Sequence, residues 1–387
     1  MTPVTAPTLP RYGQRSLAEV VPSLLAGLGV TKFANRLAVP DIDGVCLLLV
    51  DGLGWELLQS HRADAPFLAS LTAGSEPLTA GFPATTATSI ASLGTGVPAG
   101  QHGIVGYTFA PTEDGGLLNA LTWREHGGSH TDRTETLVPE RIQPLPTALQ
   151  RGADAGVAIT VVAPGIQHNS GLTRAALRGS AFRACLALGD LAAAALEALR
   201  VPAPALCYAY HGDLDLMGHV HGPGSSAWRM QLRQVDRLAV TLAEGLPPHC
   251  LLAVIADHGM VQLDEGACFD ADRLAALQAG VRLLGGEVRV RHVYTHPGAQ
   301  AEVLAAWRQV LDQHAWVLSR EEAVAAGWFG PEVSARVRHR IGDVVVAASG
   351  RSGVIRSVAE PMESRLLGHH GSLTTAEQYV PFLLARG

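Results

Sequence analysis

The chain has 387 residues, of which 47% are hydrophobic and 17% are charged, and its formal net charge is −6. This composition predicts a compact globular protein with a sizeable core and little disorder. The acidic balance argues against a general nucleic-acid-binding surface, which needs clustered Lys and Arg. A small anionic substrate would therefore require local positive charge from metal ions or helix ends.

The cysteines and the N-terminal stretch bear on the cellular compartment. Five Cys residues are scattered through the chain without a CxxC pair, so we expect buried, reduced thiols. The first twenty residues lack a basic start followed by an apolar run, and no apolar run approaches ~18 residues. We expect no signal peptide, no membrane span and a cytoplasmic protein.

Short apolar runs alternate with Ala- and Leu-rich helical stretches, a pattern typical of buried parallel strands with crossover helices. The sequence predicts helices over 183–200 and 227–246. It predicts an α/β fold with a mostly parallel central sheet and helices on both faces. The predicted strands of that sheet are VCLLLV (45–50), VAITVV (157–162), ALCYAY (205–210), LLAVIA (251–256) and YVPFLLA (379–385).

The pattern of hydrophobic and polar residues changes between residues 266 and 360. The stretch 287–296 alternates like a half-buried strand, 299–314 has the spacing of an amphipathic helix, and 341–350 contains another strand. We therefore predict a small, cap-like α+β insert over 266–360. The core would comprise residues 1–265 and 361–387.

Acidic residues follow two of the predicted strands. Asp51 comes directly after 45–50, and Asp257 and His258 come directly after 251–256. Residues just past the carboxyl ends of parallel strands line the ligand crevice, so these two ends are candidates for a shared site.

Two further clusters contain histidine. Asp215 and His219 lie four residues apart and could face one metal ion from a single helical turn. His369 and His370 lie between two glycines near the C-terminus. Each cluster also has a structural interpretation: a helix cap, a surface ion pair or a solvated loop.

Considered together, two Asp-His pairs, one further Asp and one further His supply six ligands. Carboxylate oxygens mixed with imidazole nitrogens suit Zn²⁺, Mn²⁺ or Fe²⁺ better than Ca²⁺ or Mg²⁺. Three ligands for each of two ions would leave coordination positions open, as a catalytic site requires. Two ions ~3.5–4 Å apart can hold a phosphoryl group.

Hydroxyl groups are concentrated in GFPATTATSI, residues 81–90. The run that follows has helical spacing and ends at a Gly, so Thr85 or Thr86 stands at the helix boundary. Composition alone favours capping for either residue.

The chain resembles the alkaline phosphatase superfamily, on the nucleotide pyrophosphatase/phosphodiesterase branch. The matching motifs occur in the family's order and cover roughly residues 45–110, 205–260 and 365–387. They are LLLVDGLG, FPATTATSIASLGTGVPAGQHGIVGY, DLDLMGHVHGPG, ADHGM and GHHG.

The resemblance implies an alkaline-phosphatase-like fold and a metal-dependent phosphoric ester hydrolase. It implies two divalent ions, with Zn²⁺ expected ahead of Mn²⁺ or Fe²⁺. One ion would be held by Asp215, His219 and His370. The second would be held by four groups, namely Asp51, Asp257, His258 and the hydroxyl of the nucleophile Thr86.

The resemblance also implies the mechanism: phosphodiester or pyrophosphate hydrolysis through a phosphothreonine intermediate. Counting back from the TG at 95–96 by the family's spacing selects Thr86 over Thr85. His370 is selected over His369 by the GxHG pattern, and His102 is expected to be structural.

One position departs from the family. Where that branch usually carries an Asn that donates to a phosphoryl oxygen, this chain has Tyr107. The phenol could donate similarly, or Asn119 or backbone amides could substitute for it. The substrate is expected to be a small phosphate ester such as a nucleotide, and no nucleic-acid or membrane partner is expected.

The alternatives are a different reaction of the same superfamily or a non-catalytic binding protein stabilised by metal. The other reactions are monoester hydrolysis, phosphonate cleavage, sulfate ester cleavage or a phosphomutase reaction. The sequence does not determine the oligomeric state.

Overall fold

The computed structural model describes residues 6–113, 115–127, 130–201 and 204–386. The first five residues of the N-terminal stretch considered above lie outside the described residues. The strands of the two larger sheets, in chain order, are β1 (Gly44–Val50), β2 (Ala158–Pro164), β3 (Ala181–Cys185), β4 (Ala205–His211), β5 (Cys250–Ile255), β6 (Val281–Glu287), β7 (Val290–Thr295), β8 (Ala315–Ser319), β9 (Val344–Ala348) and β10 (Phe382–Arg386).

The main sheet has six strands in the order β10-β5-β1-β4-β2-β3. All neighbours in this sheet are parallel except β10, which runs antiparallel to β5. Every residue of β1, β4 and β5 is buried, as their unbroken apolar sequences require. The prediction of a mostly parallel sheet flanked by helices is confirmed.

Ten helices of six or more residues are described. In chain order they are α1 (Val20–Gly27), α2 (Trp55–Ser60), α3 (Thr86–Thr95), α4 (Ala148–Asp154), α5 (Gly171–Ala176), α6 (Leu188–Ala198), α7 (Asp213–His221), α8 (Ser226–Gly245), α9 (Gln300–Leu311) and α10 (Arg320–Ala325). Helix α8 matches the predicted 227–246 to within a residue. It buries Trp228 and Leu232 against the main core.

Shorter elements connect these. The short helices are Pro66–Ser70, Ala99–His102, Pro139–Ile142, Ala275–Gln278, Ala335–Arg338 and Thr375–Gln378. The short strands are Leu78–Thr79, Thr108–Phe109, Leu117–Asn119, Arg124–His126, Val261–Gln262, Cys268–Asp270, Gly353–Ile355, Gly368–His369 and Tyr379–Val380. Within the described residues, no helix has the length and apolarity needed to cross a membrane.

The predicted helix over 183–200 was wrong at its start. Residues Ala181–Cys185 form the edge strand β3, and helix α6 begins only at Leu188. Strand β3 is largely exposed and pairs with β2. Its assignment therefore depends on that partner strand, because its own residues carry no strong apolar pattern.

The predicted strand 379–385 is divided into two. Tyr379–Val380 pairs with Leu78–Thr79, whereas β10 pairs with β5. Pro381 separates them, since proline has no N–H to donate to a sheet.

A second sheet lies within the predicted insert. Its four antiparallel strands have the order β6-β7-β9-β8, and helix α9 packs near it. An apolar cluster separate from the main core includes Val293, Trp307 and Val344. The limits 266–360 stay a prediction.

Strand β7 differs from the expected half-buried strand over 287–296. Nearly all of its residues are buried, including Arg291 and His292. Both polar side chains hydrogen-bond to backbone carbonyls, so they are accommodated inside the protein. Strand β6, which pairs with β7, was not predicted.

Candidate metal centre

Two acidic residues meet at the carboxyl ends of adjacent strands. Asp51 follows β1 directly, and Asp257 lies two residues after β5. One carboxylate oxygen of Asp257 accepts the amide N–H groups of Gly52 and His258, each at 3.1 Å. These bonds orient the second oxygen, Oδ2, which lies 3.3 Å from Nε2 of His258.

Glycines allow the chain to turn tightly at both strand ends. Gly52 has φ +74°, and a Cβ there would lie 2.9 Å from a carboxylate oxygen of Asp215. A Cβ on Gly259 would lie 1.9 Å from the carbonyl oxygen of Ala376. The glycines of DGLG and DHGM are therefore required by close backbone approach.

Helix α7 follows β4 and presents the second Asp-His pair. Nε2 of His219 lies 3.2 Å from a carboxylate oxygen of Asp215, one helical turn away. The other ring nitrogen of His219 donates to the carbonyl of Gly368 at 2.7 Å.

The two remaining predicted histidine ligands are held in the same way. Nδ1 of His258 donates to the carbonyl of Gly259 at 3.1 Å, and Nδ1 of His370 donates to the carbonyl of Ala84 at 3.0 Å. Their rings stack with centroids 3.5 Å apart. With Nδ1 engaged, Nε2 of each ring is the nitrogen that can bind a metal ion.

The structure brings six predicted ligand residues into one cluster. The ligand atoms of Asp215, His219 and His370 lie within 4.8 Å of one another, and so do those of Asp51, Asp215 and His258. Asp215 therefore faces both groups, and Asp257 adjoins the second through His258.

The chemistry of these atoms fits divalent cations. Asp51, Asp215 and Asp257 each keep one buried carboxylate oxygen without a hydrogen-bond partner. Burial, reinforced by the charges of Asp257 and Asp215, raises the pKa of Asp51 well above its usual range. Converging, unpartnered carboxylates need positive charge to offset their repulsion, which metal ions would supply.

The two candidate threonines are separated by the helix boundary. Thr86 is the first residue of α3, and its hydroxyl lies 3.2 Å from Nε2 of His258. Thr85 precedes the helix, and its hydroxyl donates to the carboxyl group of Glu287 at 3.2 Å. Thr86 therefore lies against His258 and Thr85 against Glu287, and both threonines line a cavity beside the cluster.

Tyr107 lines this cavity, as does Glu287. Burial raises the pKa of Tyr107 to about 12, so its hydroxyl keeps its proton at neutral pH. The carbonyl of Asn119 accepts the amides of Leu121 and Thr122, at 3.0 Å each. The amide of Asn119 hydrogen-bonds to the Tyr107 oxygen, which leaves the phenol proton free to donate. Among the described residues, Asn119 is not part of the cavity lining, whereas Tyr107 is.

Four other histidines near the motifs lie outside the ligand cluster. His102 hydrogen-bonds to the hydroxyl of Ser92 and to the amide of Ile104. The remaining three are His168, which lies against Phe182, His211, which contacts Gln231, and His221, at the C-terminal end of α7.

Two residues at the site were missed by the sequence interpretation. Tyr210, on β4, donates to Asp51 at 2.5 Å, and its position as the last residue of the predicted strand 205–210 could have flagged it. Glu287 reaches the cavity from the end of β6, and no sequence signal marks it. Burial raises the pKa of Glu287 to about 8.

A family model described as type I phosphodiesterase / nucleotide pyrophosphatase matches residues 45–373. The chain belongs to the type I phosphodiesterase/nucleotide pyrophosphatase family. This confirms the resemblance found in its motifs. Family and fold indicate a phosphoric ester hydrolase.

Solved structures share the fold of this phosphodiesterase-family chain at low identity. Murine ectonucleotide pyrophosphatase/phosphodiesterase 5 is 20% identical with a TM-score of 0.68, and the match covers 89% of this chain and 88% of that chain. An inactive Thr-to-Ala variant of the murine protein, solved with AMP, has a TM-score of 0.69 at 20% identity over 88% of this chain and 87% of that one.

A second type of enzyme shares this fold. Phosphonoacetate hydrolase from Sinorhizobium meliloti 1021, in complex with phosphonoacetate, is 20% identical with a TM-score of 0.65, and the match covers 88% of this chain and 89% of that chain. None of the curated proteins matches this chain in sequence.

Proposed function

We propose that this protein is a two-metal phosphodiesterase or nucleotide pyrophosphatase in which Thr86 is the nucleophile. The observation that carries the proposal is the position of the Thr86 hydroxyl, 3.2 Å from a ligand nitrogen of His258 and at the first turn of α3. Both Thr86 and the adjacent Ala87 line the cavity, so a substrate can reach them.

We assign Asp215, His219 and His370 to one ion. The second ion would be held by Asp51, Asp257, His258 and Thr86. The mixture of carboxylates and imidazoles favours Zn²⁺, with Mn²⁺ and Fe²⁺ as alternatives. Bound there, the ions would lower the pKa of the nucleophilic hydroxyl and offset charge on the phosphoryl oxygens.

The chain's own residues account for the covalent steps. The Thr86 hydroxyl gives its proton to solvent and its oxygen attacks phosphorus, while the bond from phosphorus to the leaving oxygen breaks and that oxygen takes up a proton from solvent. Water then loses a proton and attacks phosphorus, the bond from phosphorus to the Thr86 oxygen breaks, and that oxygen regains a proton as the phosphate product leaves. Amides at the start of α3 face the phosphoryl group, where helix geometry favours negative charge. Tyr107 would donate its free phenol proton to a non-bridging oxygen.

Two proteins with the same fold support the choice of reaction class. The murine protein with this fold binds AMP in an inactive Thr-to-Ala form, which agrees with a catalytic threonine and a phosphate ester ligand. The fold of phosphonoacetate hydrolase supports phosphonate cleavage as a second candidate.

Substitution at Thr86 tests the proposal. Thr86→Ala should lower the hydrolysis of bis(p-nitrophenyl) phosphate by at least about a thousandfold, since it removes the cavity-lining hydroxyl that lies beside Nε2 of His258. Thr85→Val removes the neighbouring hydroxyl and should lower it by less than about tenfold. Each protein is assayed after loading with Zn²⁺, Mn²⁺ or Mg²⁺, and its metal content is measured. Unchanged turnover in metal-loaded Thr86→Ala would overturn the mechanism, and loss only in Thr85→Val would transfer the role to Thr85.

The proposed location is the cytoplasm. All five cysteines are free thiols, and four of them are buried, which agrees with a reducing compartment. Fractionation of cells that produce the full chain tests this location.

A further inference from the structure

The cavity beside the metal ligands has a volume of about 220 Å³. Its wall on the side of the insert is acidic, with Glu287 from the end of β6 and Glu360 and Glu363 from the segment that follows the second sheet. Among the described residues that line the cavity, none is Lys or Arg. A second negative charge on the substrate would therefore meet no Lys or Arg side chain among these residues.

Two arginines near this wall already have hydrogen-bond or ion-pair partners. Arg291 is fully buried and donates to the carbonyl of Val354 and to Glu360. Arg356 pairs with Asp272, and one of its nitrogens lies 3.7 Å from Glu360. Burial alone would raise the pKa of Glu360, but Arg291 and His126 outweigh it and hold that pKa at about 2. Glu360 therefore has its own counter-charges.

Glu287 differs from Glu360 because no arginine pairs with it among the described residues. Its side chain is 14% exposed and lines the cavity. One oxygen accepts the Thr85 hydroxyl at 3.2 Å, and the other has no hydrogen-bond partner. A buried carboxyl group with unused bonding capacity at a substrate cavity is a candidate for substrate contact.

We propose that Glu287 determines specificity by hydrogen-bonding to a donor, a hydroxyl or an amino group, on the organic part of the substrate. Substrates whose organic part carries a second anion, a carboxylate or a phosphate, are disfavoured, because the cavity wall also carries Glu360 and Glu363 and its described lining residues include no Lys or Arg. The inference rests on the proposed function, since it concerns the same site. It separates this protein from an enzyme for phosphonoacetate, whose carboxylate would face Glu360 and Glu363 without a Lys or Arg partner among the described lining residues.

A set of four p-nitrophenyl phosphodiesters tests the inference. They share the aryl group and differ in the second ester group, which is propyl, 3-hydroxypropyl, 2-aminoethyl or carboxymethyl. We expect kcat/KM for the hydroxyl or the amino ester to exceed that of the propyl ester by about tenfold, the usual scale for one added hydrogen bond to a carboxyl group. The carboxymethyl ester should fall below the propyl ester by a similar factor. The hydroxypropyl and aminoethyl esters distinguish a polyol from an amino alcohol as the natural group.

Substitutions in the acidic wall test which side chain causes the preference among the four esters. Glu287→Leu should bring the hydroxypropyl, aminoethyl and propyl esters within about threefold of one another. Glu287→Gln keeps the shape of the side chain and an acceptor oxygen, and should retain a preference for the hydroxypropyl ester over the propyl ester. Thr85→Val removes the hydrogen bond that holds the Glu287 carboxyl group and should reduce the same preference less than Glu287→Leu does. Glu302→Gln is the matched control, because this exposed glutamate of helix α9 lies outside the cavity lining.

The outcomes separate the inference from the proposed function. If no diester is hydrolysed by the metal-loaded enzyme, the proposed function fails. If all four are hydrolysed with equal kcat/KM, or if their ratios persist in Glu287→Leu, the function stands and the role of Glu287 is wrong.

Discussion

Asp51 and Asp257 follow two adjacent, fully buried strands of the main sheet, whereas Glu287 extends from the antiparallel second sheet into the cavity that Thr86 and Asp215 line. The strand ends are fixed by the core itself. The carboxylate of Asp257 is oriented by the amides of Gly52 and His258, and that of Asp51 by the hydroxyl of Tyr210. The insert is held in place by contacts between distant residues. Arg289, beside Glu287, donates two hydrogen bonds to Glu377 of the main core, at 2.9 and 2.7 Å.

The two regions therefore differ in which part of a substrate they would contact. The strand ends and helix α7 supply a cluster that, under the proposed function, would serve any substrate with a phosphoryl group. The region of the second sheet supplies the acidic wall that we propose meets the rest of the substrate. Changes at the strand ends should therefore affect all substrates equally, and changes in the insert should affect some more than others.

The largest effect is expected at a strand end. Asp257→Ala should reduce the hydrolysis of every phosphodiester by about a thousandfold or more, because a lost metal ligand forfeits several kcal/mol of transition-state stabilisation. Bound metal, measured by elemental analysis, should fall as well. Asp264→Ala, at an exposed aspartate, is the control and should retain both activity and metal. Full metal content and activity in Asp257→Ala would show that the second ion does not use this residue.

The next effect concerns the anchoring of the insert. Arg289→Met should lower the free energy of unfolding by about 3–5 kcal/mol, since it leaves the fully buried Glu377 without its charge partner. Urea denaturation at pH 7 measures the change. Arg273→Met, which removes an exposed arginine paired with Asp270, should cost less than about 1 kcal/mol. Equal stabilities for the two variants would mean that the buried pair does not hold the insert to the core.

A smaller effect, on metal affinity, is expected at Tyr210, which contacts the candidate ligand Asp51. Tyr210→Phe removes the hydrogen bond to Asp51 and should weaken metal binding by about 10–100-fold, the usual consequence of losing a partner that orients a ligand. Competition titration with a chromophoric chelator measures the affinity. Tyr208→Phe provides the matched control, because the buried hydroxyl of Tyr208 has no hydrogen-bond partner two residues earlier on the same strand. If both variants bind metal as the wild type does, the Tyr210 hydroxyl does not orient Asp51.

The smallest effect is expected at the position that departs from the family. Tyr107→Phe should lower kcat/KM by about tenfold and leave metal affinity unchanged, because the ions and the α3 amides would carry most of the phosphoryl charge. Steady-state kinetics on the four diesters described above measure it, and the four rates should fall together. A selective loss for one diester would place Tyr107 with the wall of the insert.

Much of the fold could be predicted because the strands that build it are continuous apolar runs. The continuous apolar sequences of β1, β4 and β5 predict buried strands. The spacing of apolar residues in α8 predicts a helix. The edge strand β3 and the strand β6 could not be predicted, since β3 is largely exposed and β6 contains two consecutive glycines. Their conformation depends on the strands that pair with them.

The residues of the candidate site were likewise only partly predictable from the sequence. The sequence by itself predicted the candidate metal-binding cluster, because each predicted ligand belongs to a short motif that the family shares. The family's spacing selected Thr86 over Thr85, and the tertiary structure adds what lies across from each hydroxyl: His258 for Thr86 and Glu287 for Thr85. Glu287 is an ordinary glutamate in its sequence context and lies about 200 residues from Thr85 in the chain. Only the tertiary structure brings it within hydrogen-bond distance of Thr85. Local patterns specify which side chains can bind metal, but a contact across that separation depends on how two sheets dock, and no local pattern encodes it.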